Sequence, residues 1–336
     1  MIFNLKLIRK QFFAMPLKEA NFSVRKFEEG HEAQSRLEMV AKTVVNGYNT
    51  TVEHGLNDDL RAISQSISNE LSGFFHEGIG MGLYALDLVS LRNKNRFWNY
   101  IIEKDKKHEY MSYIGAGLTC GVFNSSYEKL IDKIDPMSGP LVLDGVGFYY
   151  AMFKTKKTIT NFYVPKKIKS NDFYLERYDN GLGRALWFYN SGEPKKIKNT
   201  INTFPKERRA NIWSGIGLAA AYAGGISNDK IPKLKSSSGI YQIMLAQGAL
   251  LAAHTRYTAG NPHKDDITVK LLTGISGLKC HKKALEFKQR FQGEKYIDGK
   301  PSFQVFLEHI REWLGQVNLQ DVNYEIEESK LVVDIV

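Results

Sequence analysis

The segments Glu77-Gly-Ile-Gly-Met-Gly-Leu-Tyr84 and Asn180-Gly-Leu-Gly-Arg-Ala-Leu-Trp187 can be laid one on the other, and that match decides how the rest of the chain is read. Gly115-Ala-Gly-Leu118 pairs in the same way with Gly215-Ile-Gly-Leu218, and Gly145 with its aromatic sequel pairs with Gly248. All the offsets lie close to one hundred residues. The matched strings sit among helical patterns, so the reading is two copies of a three-segment helical unit, packed as pseudo-symmetric halves of one core. A spacing this long points to duplication and not to a solenoid.

The repeated positions are small: Gly78 and Gly82, Gly117 and Gly121, Gly217 with Ala221, Gly248 with Ala252. Residues four apart share a helix face, and small side chains there let two backbones approach closely. Outward from the repeats, Leu37, Val40, Val44 and Val45 give a helix over 32–45. Asn57-Asp58-Asp59 opens a second one, with Leu60, Ile63, Ile67 and Leu71 on its stripe. Ser302 opens a helix with an apolar face of Phe303, Phe306, Leu307, Ile310 and Leu314, and the alternation in 323–336 predicts a hairpin. The fold expected is mainly α: one large cooperative helical domain with a small C-terminal β-hairpin. Its parts are an N-terminal helical segment (1–70), a first repeat (71–170), a second repeat (171–275) and a C-terminal helix and hairpin (276–336).

Composition limits the function. With 336 residues, 43% hydrophobic, 12% aromatic and nine prolines, the chain buries a full core and is not a disordered or low-complexity protein. Cys120 and Cys280 are the only cysteines, which leaves no disulfide framework and no cysteine zinc site, and a reducing cytoplasm is the expected location. The net charge of +10 favours an anionic partner without naming one. The first ten residues are too interrupted for a signal peptide. Three uncharged stretches, 110–127, 210–228 and 236–255, mix Gly and Ala with polar residues, so buried helices are expected there and not bilayer spans.

The familiar catalytic strings are missing. None of His31-Glu32, His76-Glu77 and His108-Glu109 has a second histidine four residues after the first. Leu141-Val-Leu-Asp-Gly-Val-Gly147 is the one string that looks like a strand entering a dinucleotide turn, but Tyr150 stands where the third glycine belongs. There is no phosphate-binding G-x-x-x-x-G-K-[ST] loop and no G-x-S-x-G elbow. Neither Asp58-Asp59 nor Asp265-Asp266 continues into D-D-x-x-D. The lysines between Lys154 and Lys169 read best as a solvated connection between the halves.

Ionisable residues inside the glycine-rich segments are the exception to an otherwise apolar pattern: Glu77, Asp87, Asp144, Arg184 and His254. A buried charge is costly unless it is paired or hydrated, so these residues either form ion pairs or tip a cavity wall.

In order along the chain, Pro16-Leu-Lys-Glu-Ala-Asn-Phe22, Gly73-Phe74, Glu77-Gly78, Tyr113-Ile-Gly-Ala-Gly-Leu118 and Leu143-Asp-Gly-Val-Gly-Phe148 form a distinctive set. Gly181-Leu-Gly-Arg-Ala-Leu-Trp187, Phe204-Pro-Lys-Glu-Arg-Arg209, Ile212-Trp-Ser-Gly-Ile-Gly-Leu218, Ala223-Gly224-Gly225 and Ala246-Gln-Gly248 complete it. Together they resemble, nearly end to end, the enediyne biosynthesis proteins encoded beside enediyne polyketide synthases. The resemblance implies a role in making or tailoring a linear polyene or related polyketide, and assigns no catalytic residue.

The residues themselves suggest a means. Tyr84, Tyr149, Tyr150, Trp187 and Trp213 are candidates to line an apolar cavity for a conjugated chain, with Arg184, Arg209 and His254 as polar substrate contacts. Glu77, Asp144 and Asp87 are the candidate proton-transfer groups, for isomerisation or cyclisation. A noncatalytic carrier of a labile hydrophobic intermediate needs the same cavity without the acid, and a noncanonical isoprenoid cyclase is the third reading. No metal or cofactor is expected. The expected partners are a hydrophobic small molecule, free or carrier-bound, and other biosynthetic proteins; nucleic acid is not expected, and membrane contact is limited to the surface.

Overall fold

The computed structural model describes residues 11–333 except 12, 93, 104 and 105. The first ten residues, and with them the leader question, lie outside the described residues, as do 334–336 of the expected hairpin. The architecture rests on a row of long helices: α1 (Gln34–His54), α2 (Asn69–Val89), α3 (Glu109–Phe123), α4 (Leu141–Phe153), α5 (Asp172–Tyr189), α6 (Lys206–Tyr222) and α7 (Gln242–Thr258). Each packs on the next, and short helices such as Asp58–Ser66, Arg96–Glu103, Pro194–Thr203 and Ile231–Ser237 carry the chain back between them.

Neighbours in the row are parallel. Between α2 and α3 the Ser112 hydroxyl donates to the His76 carbonyl and the Thr119 hydroxyl to the Met81 carbonyl. Between α5 and α6, Asn180 meets Ser214 and the Trp187 indole donates to the Gly224 carbonyl. In both pairs the partners advance together along the chain. Parallel neighbours require a return segment, and this fixes a short period: the first glycines Gly78, Gly115, Gly145, Gly181, Gly215 and Gly248 are separated by 30 to 37 residues. The hundred-residue offset of the sequence therefore spans three such units, and each segment of the two halves is itself a copy.

The Gly-x-Gly string explains how the row is built. Residues two apart lie about 200° apart around a helix, so one glycine faces the preceding helix and the next faces the following one. Gly115 meets the α2 backbone at Glu77 while Gly117 meets α4 at Val142 and Gly145. Gly181 meets α4 at Asp144 while Gly183 meets α6 at Ile212 and Gly215. A Cβ on Gly117 would stand 3.0 Å from the Gly145 Cα, and one on Gly145 only 2.8 Å from the Leu118 nitrogen. No side chain fits at these crossings without moving a helix.

The row curls until its ends meet. Arg36 on α1 donates to the Ala223 carbonyl just beyond α6, and its guanidinium pairs with Glu70 on α2. Phe74 on α2 stacks edge-on against Tyr222 on α6, with ring centres 5.1 Å apart. The α1 helix, placed by sequence in a separate N-terminal segment, is thus the first member of the same row.

Several expectations shift in detail. The helix from Asn57 caps as expected, with Asn57 accepting from the Leu60 N–H, but it stops at Ser66, and α2 restarts at Asn69. The strand-like 141–147 is helical. The uncharged stretches centre on α3, α6 and α7, and among the described residues no helix is long and apolar enough to cross a membrane.

The hairpin exists, but upstream of where alternation placed it. Tyr296–Ile297 pairs with Lys300–Pro301 across Asp298-Gly299, whose φ values of 48° and 77° are those of a tight type I′ turn. Beyond it, α8 (Gly277–Arg290) is followed by α9 (Ser302–Val333), so 323–333 is helix, in keeping with its Glu, Lys and Leu content. The Ser302 hydroxyl donates to the Glu294 carbonyl and so closes the hairpin onto α9.

Candidate functional site

The curled row encloses a cavity of about 120 Å³ whose wall draws on α1 through α7, α8 and α9. The repeat sets which side chains face it. The residue three positions after the first glycine lines the cavity in every copy from α2 to α7: Met81, Leu118, Phe148, Arg184, Leu218 and Leu251. The residue just before that glycine forms a second, largely polar layer: Glu77, Ile114, Asp144, Asn180, Ser214 and Gln247. All but Ile114 are polar, and all six are buried.

That layer divides into two parts. On α5 to α7 it is linked by hydrogen bonds, with Asn180 donating to the Ser214 hydroxyl at 3.2 Å, Gln247 to the same hydroxyl at 3.0 Å, and Arg311 to the Gln247 side-chain oxygen at 2.8 Å, while the Asn180 Oδ1 has no partner among the described residues. On α2 and α4 it carries the two acids. Glu77 stands 3.5 Å from the Arg184 guanidinium, whose Nη1 has no hydrogen-bond partner. Asp144 has an Oδ1 with no partner among the described residues, and burial pushes its carboxyl up to about 6, although Arg177 and Arg184 pull it down. Burial also raises Glu77, against the opposing pull of Arg184. The result is a pair of wall carboxyls facing two buried guanidiniums in a largely apolar chamber, an arrangement able to give or take a proton.

A second polar group lines the cavity from α3, α7 and α8. His254 sits 3.4 Å from the Tyr110 hydroxyl and 3.2 Å from His281, and Lys288 donates to Tyr110 while lying 3.7 Å from Glu109. Burial and the neighbouring His281 and Lys288 lower His254 to about 3, so it is a neutral imidazole.

Of the sequence candidates, Glu77, Asp144, Arg184 and His254 come together in the cavity wall. The others lie elsewhere, each for a physical reason. The Asp87 carboxylate accepts from the Arg96 and Phe97 N–H groups and the Arg96 guanidinium, so it caps the return helix Arg96–Glu103. Tyr84 lies past the end of the cavity, edge-on to Phe97. Tyr149 stacks on Phe153, and Tyr150 packs on Tyr163 and Tyr178. Trp187 is spent on the Gly224 carbonyl, and Trp213 is packed solid in the core. Arg209 donates to the carbonyls of Phe204 and Asn202 and so finishes helix Pro194–Thr203.

Arg177, Tyr110, Tyr222 and Lys288 line the cavity and escaped the sequence reading. Arg177 is the recoverable one: it lies seven residues before Arg184, on the same helical face. Lys288 comes from α8, outside the repeat, and no pattern announces it. The adjacent aspartates are off the cavity: Asp58 and Asp59 open the helix Asp58–Ser66, and Asp266 accepts from the Tyr257 hydroxyl.

No curated protein and no solved structure matches the chain. One family model does, over residues 4–314, which take in the whole row, α8 and the first part of α9: the chain belongs to the DUF1702 family, described as proteins of unknown function.

Proposed function

We propose that the protein binds a linear, conjugated hydrophobic intermediate of natural-product biosynthesis and moves a proton on it, by isomerisation or cyclisation. The observation that supports this reading is the Asp144 carboxyl, with one oxygen unpartnered in an apolar wall and its pKa raised to about 6. A group of that kind is poised to exchange a proton near neutral pH. Glu77, held by Arg184, is the second acid, and the Met81, Leu118, Phe148 and Leu251 side chains supply the surface along which a slim chain lies. A volume of about 120 Å³ favours a narrow unbranched chain over a fused-ring one. The resemblance to enediyne biosynthesis proteins points to the same substrate class.

A linear conjugated triene incubated with the protein in D2O tests the reading. Deuterium entering the chain with a shift of its double bonds, lost in Glu77→Gln or Asp144→Asn while binding persists, supports proton chemistry. Binding without exchange in the wild type supports the second reading, a noncatalytic carrier, which the apolar stretch of Met81, Leu118, Phe148 and Leu251 also favours. The isoprenoid cyclase reading is the weakest, because neither adjacent Asp pair reaches the cavity.

A further inference from the structure

Most ionic groups around the cavity already have partners. Arg25 pairs with Glu19 at 2.6 Å, Lys288 with Glu109 at 3.7 Å, and one nitrogen of Arg184 with Glu77. What remains on α5 is a set of donors with no acceptor. Among the described residues the Arg184 Nη1 and the Arg177 Nε make no hydrogen bond, and both side chains are more than nine-tenths buried. Arg177 spends its Nη2 on the Asn211 side chain at 3.3 Å, with Glu176 4.0 Å from the same nitrogen, and lies 5.5 Å over the Phe303 ring, which holds the guanidinium in place at the wall. Leaving a buried charged donor unmet is costly, and both guanidiniums act on the same Asp144 carboxyl, which places these donors around one stretch of the wall.

We propose that Arg177 and Arg184 receive the carboxylate end of the chain that the cavity binds, so that the ligand is a slim unsaturated carboxylic acid and not a neutral hydrocarbon. This rests on the reading of the cavity as a chain-binding site and adds the chemistry of one end of the ligand. Asp144 shares this stretch of wall; burial has already raised its carboxyl to about 6, and the arriving carboxylate raises it further, so the acid binds with uptake of a proton at Asp144, which then donates a hydrogen bond to it instead of repelling it. The hydrocarbon then runs past Phe148 and Leu118, and Arg184 keeps its contact with Glu77. A planar guanidinium suits a carboxylate better than a point charge does, because its N–H groups match the two oxygens.

The test compares two ligands of nearly equal shape, sorbic acid and its methyl ester, by isothermal titration calorimetry at neutral pH. The acid binds the wild-type protein about 10- to 100-fold more tightly, the value of a charge-assisted hydrogen bond or two. In Arg177→Met that advantage falls to about threefold or less, while the ester's affinity stays within about twofold of wild type. An ester that binds the wild type as tightly as the acid overturns the carboxylate seat and leaves the chain-binding cavity standing. Binding of neither ligand overturns both. The wild-type comparison needs no variant, so a poorly folding Arg177→Met does not weaken the test.

Discussion

The Glu77 carboxylate on α2 stands 3.5 Å from the Arg184 guanidinium on α5, although the two helices are separated in the row by α3 and α4. Both side chains are buried, so the pair spans the chamber and ties its walls together. Removing one partner strands the other. Arg184→Met is expected to lower unfolding free energy by about 3–5 kcal/mol, whereas Glu77→Leu with Arg184→Met costs much less than the two single changes together. Urea denaturation of the four proteins of the cycle measures the coupling.

Asp144 makes stability depend on pH in an unusual direction for a carboxylate. Its ordinary value is 3.8 and its folded value about 6, so between these the folded protein holds a proton that the unfolded chain has released. Stability from this group is present below pH 3.8, falls as pH rises toward 6, and is fully lost above it. Asparagine imitates the protonated carboxyl. Asp144→Asn is expected to stabilise the protein by about 2–3 kcal/mol at pH 8 and to leave it nearly unchanged at pH 3.5, read from denaturation curves at the two values.

The glycine crossings are expected to separate sharply from an ordinary helical glycine. Gly145→Ala forces a methyl into the α3 backbone and should cost about 3 kcal/mol or more. Gly315 lies in α9 with only the Ile243 side chain near, at 3.9 Å, so Gly315→Ala should be neutral or stabilising by up to about 1 kcal/mol. Thermal melts of the two variants make the comparison.

Asp87 is a cap. Asp87→Ala removes the acceptor for the Arg96 and Phe97 N–H groups and is expected to cost about 1–2 kcal/mol of stability. Ligand affinity measured calorimetrically should be unaffected, unlike that of an Arg184 variant.

These sites also show what the sequence makes readable. The Gly-x-Gly strings disclose the repeat because close backbone approach admits nothing larger, and Glu77 and Asp144 are conspicuous because they directly precede such strings. The shorter period is hidden because copies such as Gly115-Ala-Gly-Leu118 and Gly145-Val-Gly-Phe148 share little beyond their glycines. Tyr149, Trp187 and Trp213 attract attention for being aromatic, but whether a residue lines a cavity depends on what packs against it, and theirs are taken up by Phe153, the Gly224 carbonyl and the core. Lys288 and Tyr222 reach the wall through tertiary placement alone. Asp298-Gly299 was a legible turn signal, and the alternation farther along had drawn the hairpin to 323–336.

The most direct measurement is a crystal structure of the protein soaked with a slim conjugated trienoic acid. Electron density is expected inside the curled row, with its hydrocarbon against Met81, Leu118 and Phe148, its acid end at Arg177 and Arg184, and Asp144 within hydrogen-bonding reach. Density confined to the outer surface, with the chamber between α2 and α5 closed by side chains, would overturn the chain-binding reading.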